Sequence, residues 1–316
     1  MTAAKGEAEP SVAILLATYN GARFLGEQLH SIERQTWHNW KVYASDDSST
    51  DLTREILERY REKWGNDRLT IIDGPKEGSV ANFQSLIGHA SIEADYYAYC
   101  DQDDVWLEEK LSRAISMLGL HSASGYSCAV NAVWEDGRQK VLSQSPRMRS
   151  HDHLFEGAGQ GCGFVLTAAF FQQVQRYCQQ HRSDAEAMHY HDWLIYLLCR
   201  AWGLTWFFDE QPMLRYRQHG TNEIGARNMG SGFAHRLKLV RSGWYKAQVA
   251  AALSVLSTAT QSPRDPSVTS ARGVLMGQGH VAVLQRGRLA CWLLRHGRRR
   301  WSDRVALCVF ALAGWI

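Results

Sequence analysis

The feature that most constrains the fold is a repeated alternation of short apolar strands with helices in the first 120 residues. The predicted strands are VAILLA at 12–17, WKVYAS at 40–45, RLTII at 68–72 and YYAYC at 96–100. Each is followed by a segment whose apolar residues recur at helical spacing. This pattern predicts an α/β fold with a mostly parallel central sheet flanked by helices. A chain of 316 residues has room for one large domain, or for a main domain with an appendage.

Polar clusters follow three of these strands, at 18–20, 45–51 and 101–104. In sheets of this kind, ligands bind beyond the carboxyl ends of the strands. We therefore expect the three clusters to converge on one site.

The segment CDQDDVW places Asp101, Asp103 and Asp104 directly after a buried strand. Residues two apart in an extended segment point to the same side, so Asp101 and Asp103 are expected to face one ligand together. Close carboxylates repel each other unless a cation is present, and their oxygens suit Mg²⁺ or Mn²⁺ that carries a diphosphate. The alternative is that Asp103 and Asp104 cap a helix that begins near Trp106.

The cluster SDDSSTD has a structural and a functional interpretation. Ser49, Thr50 or Asp51 is a natural N-cap for the helix that follows. Asp46 and Asp47 lie at a strand end, where ionised carboxylates accept hydrogen bonds from the base or ribose of a nucleotide.

A third acidic candidate lies in HYHDW, where a predicted helix begins and then extends towards Gly203. Asp192 there is a candidate general base at the mouth of the cleft. One alternative is a zinc site of His189, His191 and Asp192, although histidines two apart at a helix start have poor geometry for it. The other is that Asp192 simply caps the helix.

The C-terminal region is predicted to be mainly helical beyond about residue 230, with a loop or hinge at TQSPRDPS. Residues 286–316 carry seven arginines and one aspartate beside apolar stretches. The last apolar stretch, 305–316, is shorter than the roughly 20 residues that a membrane-spanning helix needs. Two interpretations stay open: a helix that lies on an anionic membrane surface, and a helix that packs on the core with a solvated basic face. Nucleic-acid binding is not expected, because no recognisable binding motif accompanies the charges.

The expected compartment is the cytoplasm. The seven cysteines are scattered without a C-x-x-C pair, which favours free thiols in a reducing environment. The apolar run at the N-terminus lacks the length and the cleavage pattern of a signal peptide.

Taken in order, TYNGARFL, SDDSSTD, CDQDDVW and HDW resemble the family 2 glycosyltransferases, which adopt the nucleotide-sugar-binding GT-A fold. The resemblance covers about two thirds of the chain, and YRQHGTN makes it most similar to bacterial rhamnosyltransferase-type members. It implies a flexible N-terminus (1–10), a GT-A domain (11–229) and a helical basic extension (230–316). Within the domain, 11–105 would be the nucleotide-binding half and 106–229 the acceptor half.

The resemblance also implies a role for each candidate residue. Those expected to bind the nucleotide are Thr18, Tyr19, Asn20, Asp46, Asp47, Asp101 and Gln102. Asp103 and Asp101 would form the D-x-D element that contacts the metal, and His219 would approach the metal or the diphosphate. The residues expected to border the sugar and the acceptor are Gly161, Cys162, His191, Trp193 and Asp104. Asp192 would be the catalytic base.

The function implied is an inverting, metal-dependent transfer of a sugar, with rhamnose the first expectation, from a dTDP or UDP carrier. The acceptor would be a saccharide or a polyprenyl-linked saccharide in bacterial surface polysaccharide synthesis, with peripheral contact to the inner membrane. A sugar-phosphate nucleotidyltransferase is the main enzymatic rival, but the glycine-rich basic loop expected after its first strand is absent from ATYNGARFLGE. A non-catalytic sugar-nucleotide-binding scaffold is the rival of another class.

Overall fold

The computed structural model describes residues 9–219, 237–260, 266–275 and 282–316. The strands are β1 (Val12–Thr18), β2 (Trp40–Asp46), β3 (Leu69–Asp73), β4 (Tyr96–Asp101), β5 (Val105–Trp106), β6 (Gly125–Trp134), β7 (Gln139–Leu142), β8 (Phe164–Thr167) and β9 (Trp206–Gln218). The helices up to residue 201 are α1 (Ala22–Glu33), α2 (Thr53–Trp64), α3 (Ser79–Gly88), α4 (Lys110–Leu120), α5 (Ala168–Gln180), α6 (Arg182–Ala187) and α7 (His191–Ala201). Those near the C-terminus are α8 (Trp244–Ala259), α9 (Pro266–Leu275), α10 (Val283–His296) and α11 (Trp301–Leu312).

All described strands belong to one sheet, in the order β3-β2-β1-β4-β8-β6-β9-β5, with β7 paired to β6. The prediction of a parallel sheet is confirmed for β1 to β4. Beyond β4 the sheet is mixed, because β8 runs antiparallel to both β4 and β6 whereas β9 is parallel to β6. Strands β6 and β7 form an antiparallel hairpin, with Asp136 and Gly137 in its turn.

The central strand β1 is buried along its whole length, as expected for a strand covered on both faces. Its side chains alternate between two cores. Ile14 and Leu16 pack with apolar residues of α1, α2 and α4, and Ala13 and Leu15 pack with those of α3, α5 and α7. The apolar run after Ser11 thus forms the centre of a three-layer α/β structure.

The strand register brings the polar clusters together. Thr18 is paired with Asp46, and Ala17 with both Ser45 and Asp101. The loops after β1, β2 and β4 therefore leave the sheet side by side at its carboxyl edge. The predicted convergence of the three clusters is confirmed.

The prediction that a helix begins near Trp106 is wrong. Residues 105–106 form β5, which pairs with β9 through Trp106 and Leu214, and α4 begins only at Lys110. Trp106 is buried by this pairing instead of starting the helix. Asp103 and Asp104 therefore do not cap α4, whose N-cap is Glu109.

The C-terminal helices pack against the same core as α3, α5 and α7. Leu289, Leu293, Leu307 and Ala311, from α10 and α11, are buried in this core. The packing supports the core-helix interpretation for the inner faces of these helices. No helix among the described residues is both long and apolar enough to cross a membrane.

Several sequence predictions concern residues outside the described ranges. These are most of the flexible N-terminus, the proposed boundary near residue 229, residues 220–222 of YRQHGTN and residues 261–265 of the predicted hinge. The division into an 11–229 domain and a 230–316 extension stays a prediction.

Candidate active site

The loops after β1 and β2 are joined by hydrogen bonds between side chains and backbone. The hydroxyl of Thr18 donates to Oδ1 of Asp46 at 2.9 Å, and the hydroxyl of Ser49 donates to the same oxygen at 2.6 Å. The backbone amide of Thr50 donates to Oδ1 of Asn20 at 2.8 Å. Asn20 has a positive φ of 46°, a conformation that asparagine tolerates better than most residues. Thr18, Asn20 and Asp46 thus hold the first two loops together.

Asp47 is buried and binds the neighbouring loop through both carboxylate oxygens. Oδ1 accepts from the backbone amide of Lys76 at 2.5 Å, and Oδ2 accepts from that of Gly78 at 2.8 Å. Each carboxylate oxygen has a second lone pair, so these bonds leave acceptor capacity. The predicted contact of Asp47 with a base stays a prediction.

Gln102 connects the third loop to the first. Its amide nitrogen donates to the carbonyl of Tyr19 at 2.8 Å, and its amide oxygen accepts from the backbone amide of Tyr19 at 2.9 Å. This side chain lies against Gly21, where an added Cβ would come within 2.0 Å of Oε1 of Gln102. Only glycine leaves room for the contact. The aromatic ring of Tyr19 is exposed.

An acidic cluster lies at the end of β4. One ligand atom each from Asp101, Asp104 and Cys162 lie within 4.8 Å of one another. Asp104 is fully buried, and neither of its carboxylate oxygens has a well-formed hydrogen bond among the described residues, although the thiol of Cys162 and the backbone amide of Arg217 lie near. Burial, reinforced by the charges of Asp101 and Asp103, raises the pKa of Asp104 well above its ordinary value, against the lowering effect of these two donors. A bound cation would relieve this burial cost, and carboxylate oxygens suit Mg²⁺ or Mn²⁺.

The expectation that Asp101 and Asp103 face one ligand together depends on an extended chain. Residues 102–103 form a turn, so the alternation of a strand does not continue to Asp103. Instead, Oδ2 of Asp103 lies 2.7 Å from Nε2 of His219. The structure thus joins two residues predicted to approach the metal, and it places Asp104 beside Asp101. Direct metal contact by Asp103 and His219 stays a prediction.

Asp192 lies in the first turn of α7, two residues after the N-cap Tyr190. It is therefore not the N-cap that one interpretation predicted. Its Oδ1 accepts from the backbone amide of Trp193 at 2.6 Å. Burial raises the pKa of Asp192 to about 7, although hydrogen bonds from backbone amides, including that of Gly161, oppose the shift. Such a pKa is near the optimum for a general base at neutral pH.

The short 3-10 helix Gly161–Gly163 connects the acidic cluster to Asp192. The thiol of Cys162 belongs to the acidic cluster, whereas a Cβ on Gly161 would lie 3.4 Å from Cβ of Asp192 and 2.7 Å from Nε2 of His191. Since Gly161 and Cys162 are consecutive, the acidic cluster and the candidate base Asp192 lie on adjacent sides of one turn. The turn therefore brings residues separated by about ninety positions into one site.

The zinc interpretation is not supported by the side-chain positions. The ring of His189 is exposed and contacts Trp244, whereas the ring of His191 packs 4.2 Å from that of Phe83. Burial lowers the pKa of His191 to about 3, so this imidazole is neutral. Among the described residues, His189, His191 and Asp192 do not form a metal-ligand group.

Trp193 is buried and donates through Nε1 to the carbonyl of His153 at 2.8 Å.

Two further residues near the acidic loop, Arg217 and Lys110, have no role predicted from the sequence. Nε of Arg217 donates to the carbonyl of Asp103 at 2.9 Å and helps to fix the acidic loop. Lys110 is fully buried, with its ammonium 3.7 Å from the ring centroid of Trp106. Arg217 lies within YRQHGTN, but a motif does not show which side chain binds the acidic loop. A helix that begins near Trp106 would predict an ordinary exposed lysine at 110.

Comparison with known proteins places this site in a family. The sequence model of Glycosyl transferase family 2 matches residues 13–174. The chain is 30% identical over 300 residues to the dTDP-rhamnosyl transferase RfbG of Shigella flexneri, in an alignment that covers 94% of this chain and 99% of the relative. This chain belongs to glycosyl transferase family 2. The predicted resemblance to bacterial rhamnosyltransferase-type members of family 2 is confirmed.

Other relatives and structures agree with the family 2 assignment. The glycosyltransferase is 28% identical over 157 residues to the UDP-Glc:alpha-D-GlcNAc-diphosphoundecaprenol beta-1,3-glucosyltransferase WfgD of Escherichia coli, covering 49% of this chain and 59% of the relative. The crystal structure of Staphylococcus aureus TarS residues 1–349 with UDP superposes with a TM-score of 0.56 at 14% identity. This superposition covers 96% of the family 2 chain and 87% of TarS, which confirms the GT-A fold.

Proposed function

We propose that this glycosyltransferase moves rhamnose from dTDP-rhamnose to a saccharide or polyprenyl-linked saccharide acceptor in bacterial surface polysaccharide synthesis. The likeness to the RfbG rhamnosyl transferase along nearly the whole of both chains supports this donor over a UDP sugar. One structural observation supports this type of reaction. The turn at Gly161–Gly163 brings the acidic cluster of Asp101 and Asp104 beside Asp192.

The proposed reaction is a single inverting displacement. The carboxylate of Asp192 accepts the proton of the acceptor hydroxyl while the hydroxyl oxygen attacks the anomeric carbon. The bond from that carbon to the diphosphate oxygen breaks on the opposite face. Positioned general bases contribute about 10²- to 10⁴-fold to such steps. No covalent intermediate with the enzyme forms.

The residues of the first three loops orient the donor. Asp46 and Asp47 would accept hydrogen bonds from its nucleoside part, and Asp101 and Asp104 would hold Mg²⁺ or Mn²⁺, with the predicted contact of Asp103 added from the turn at 102–103. This metal would supply electrostatic stabilisation of the departing diphosphate. The buried oxygens of Asp104 and the carboxylate of Asp101 fit such an ion. His219, beside Asp103, would approach the same diphosphate.

Release of free nucleoside diphosphate tests this proposal. The purified protein is incubated with dTDP-rhamnose and a panel of UDP sugars, with saccharide and polyprenyl-linked acceptors, in Mn²⁺ or in a chelator. We expect release of dTDP that requires both an acceptor and the metal. Release from a UDP sugar alone would overturn the choice of donor. Binding without release from any donor would favour the scaffold interpretation.

We further propose that the outer surface of the α10–α11 hairpin contacts an anionic membrane. Trp301, Val305, Val309 and Leu312 of α11 are 40% to 63% exposed and follow helical spacing along one face. Arg288, Arg295 and Arg300 are exposed on the same hairpin. An apolar face flanked by arginines is typical of interfacial helices.

Vesicle flotation tests the membrane contact. We expect the protein to bind vesicles that contain phosphatidylglycerol and not vesicles of phosphatidylcholine alone, with weaker binding at high salt. Val305→Ser combined with Val309→Ser should reduce binding several-fold. Leu120→Ser removes a similarly exposed side chain from α4 and should have no effect. Equal binding by both variants, or no binding by the wild type, would overturn the contact.

A further inference from the structure

Arg299 is the most deeply buried charge of the C-terminal hairpin. It lies in the connection between α10 and α11, and only 1% of its side chain is exposed. Its Nη1 lies 3.3 Å from the carboxylate of Asp152, and its Nη2 donates to the carbonyl of Gly157 at 2.7 Å and to Gln144 at 3.2 Å. The guanidinium also lies 4.7 Å from the ring centroid of Phe208. Arg299 thus contacts both ends of the segment 152–157.

Asp152 is the centre of a buried charge network. Its carboxylate accepts from Nη1 of Arg200 at 2.7 Å and from the hydroxyl of Tyr196 at 2.9 Å, in addition to its contact with Arg299. Although burial alone would raise the pKa of Asp152, a hydrogen bond from His153 and the charges of the two arginines hold it below its ordinary value. Buried ion pairs add little to stability compared with apolar packing. We therefore interpret this network as one that fixes the position of the segment 152–157.

The segment 152–157 contacts the first turn of α7 on its other side. The indole of Trp193 donates to the carbonyl of His153 at 2.8 Å. A Cβ on Gly157 would lie 3.3 Å from Cα of Trp193, so the two backbones are in close contact. The backbone amide of Trp193 in turn donates to the carboxylate of Asp192. The segment therefore lies between Arg299 and Asp192.

We propose that Arg299 is a positioning residue for Asp192, an inference that rests on the proposed role of Asp192 as the base. Arg299 fixes the segment 152–157, and this segment fixes the first turn of α7. Arginine suits the task because its planar guanidinium reaches a carboxylate and a carbonyl at the same time, whereas the ammonium of lysine is a single compact charge. The C-terminal hairpin is accordingly a part of the acceptor site.

Two substitutions and one matched control test the proposal. Arg299→Lys keeps the charge near Asp152 but loses the planar guanidinium that binds two groups at once. Arg299→Met removes both the charge and the guanidinium. Arg182→Met removes an 81% exposed arginine from α6, outside the site and the proposed membrane surface. Since a misplacement of about 1 Å can cost about 100-fold in rate, we expect kcat to fall roughly 10- to 100-fold in both Arg299 variants. The Kd for the donor should stay within about twofold, because the nucleotide loops are untouched. Arg182→Met should match the wild type.

The wild type and Asp192→Asn are measured beside these variants. If the wild type transfers no sugar, or if Asp192→Asn keeps its turnover, the proposed function or the base assignment fails whatever Arg299 does. If both behave as expected and Arg299→Lys keeps the kcat of the wild type, the positioning role is overturned. It is also overturned if Arg299→Lys loses donor affinity in parallel with kcat, since that pattern indicates a general effect on folding. Arg299→Lys thus decides the question even if Arg299→Met does not fold.

Discussion

On the proposed nucleotide side, the loops after β1, β2 and β4 are held by direct polar contacts with one another. Examples are the bonds from Thr50 to Asn20 and from Gln102 to Tyr19. On the proposed acceptor side, the turn that carries Asp192 contacts a segment that is bound by both Arg200 and Arg299, about one hundred residues apart. The proposed nucleotide side is thus built mainly by the first 105 residues, with Arg217 and His219 in contact with Asp103, whereas the segment beside Asp192 is bound by Arg299 of the C-terminal hairpin. We expect changes on the first side to alter donor affinity and changes on the second to alter turnover.

Asp192→Asn should have the largest effect. An amide of the same shape cannot accept the proton, so kcat should fall by about 10²- to 10⁴-fold. Donor Kd, measured by calorimetry, should not change, because Asp192 lies outside the nucleotide loops. Asp136→Asn, on the exposed β6–β7 turn, is the control and should keep full turnover. Near-normal turnover of Asp192→Asn would contradict the base assignment.

The pH dependence of turnover should show the next largest effect. Burial raises the pKa of Asp192 to about 7, and only the ionised form acts as a base. Below this pKa the ionised fraction falls about tenfold per pH unit, so kcat at pH 5 should be roughly 100-fold below its plateau. The measurement is kcat at saturating donor from pH 5 to pH 9, with donor Kd followed over the same range. A flat profile between pH 5 and pH 7 would show that another group takes the proton.

Gly21→Ala should have a smaller effect, and on donor affinity instead of turnover. The new Cβ would displace Gln102 from Tyr19 and loosen the contact between the first and third loops. Loss of about one hydrogen-bonded contact corresponds to roughly a tenfold rise in donor Kd. Gly26→Ala is the matched control on α1, because nothing lies within 4 Å of its added Cβ. If both variants bind the donor equally well, the Gln102 contact does not shape the pocket.

The sequence could predict most of the nucleotide side because that information is local. Apolar runs predict the strands, helical spacing predicts the helices, and adjacent parallel strands bring Thr18, Asp46 and Asp101 to one edge without any knowledge of distant contacts. The prediction was wrong at Trp106, where pairing with β9 at Leu214 replaces the first turn of a helix. A two-residue strand has too short a pattern to be recognised.

The sequence by itself determined the α/β architecture, the identity of the acidic groups and the family, since these depend on patterns and motifs within short stretches. Only the tertiary structure decided which carboxylates meet. It placed Asp104 with Asp101 and Asp103 with His219, because a turn at residues 102–103 ends the alternation of the strand. It also decided that Arg299, one of seven arginines in the C-terminal segment, is buried beside Asp152. A buried charge requires a partner from elsewhere in the fold, and the neighbouring residues in the sequence predict neither its burial nor its partner.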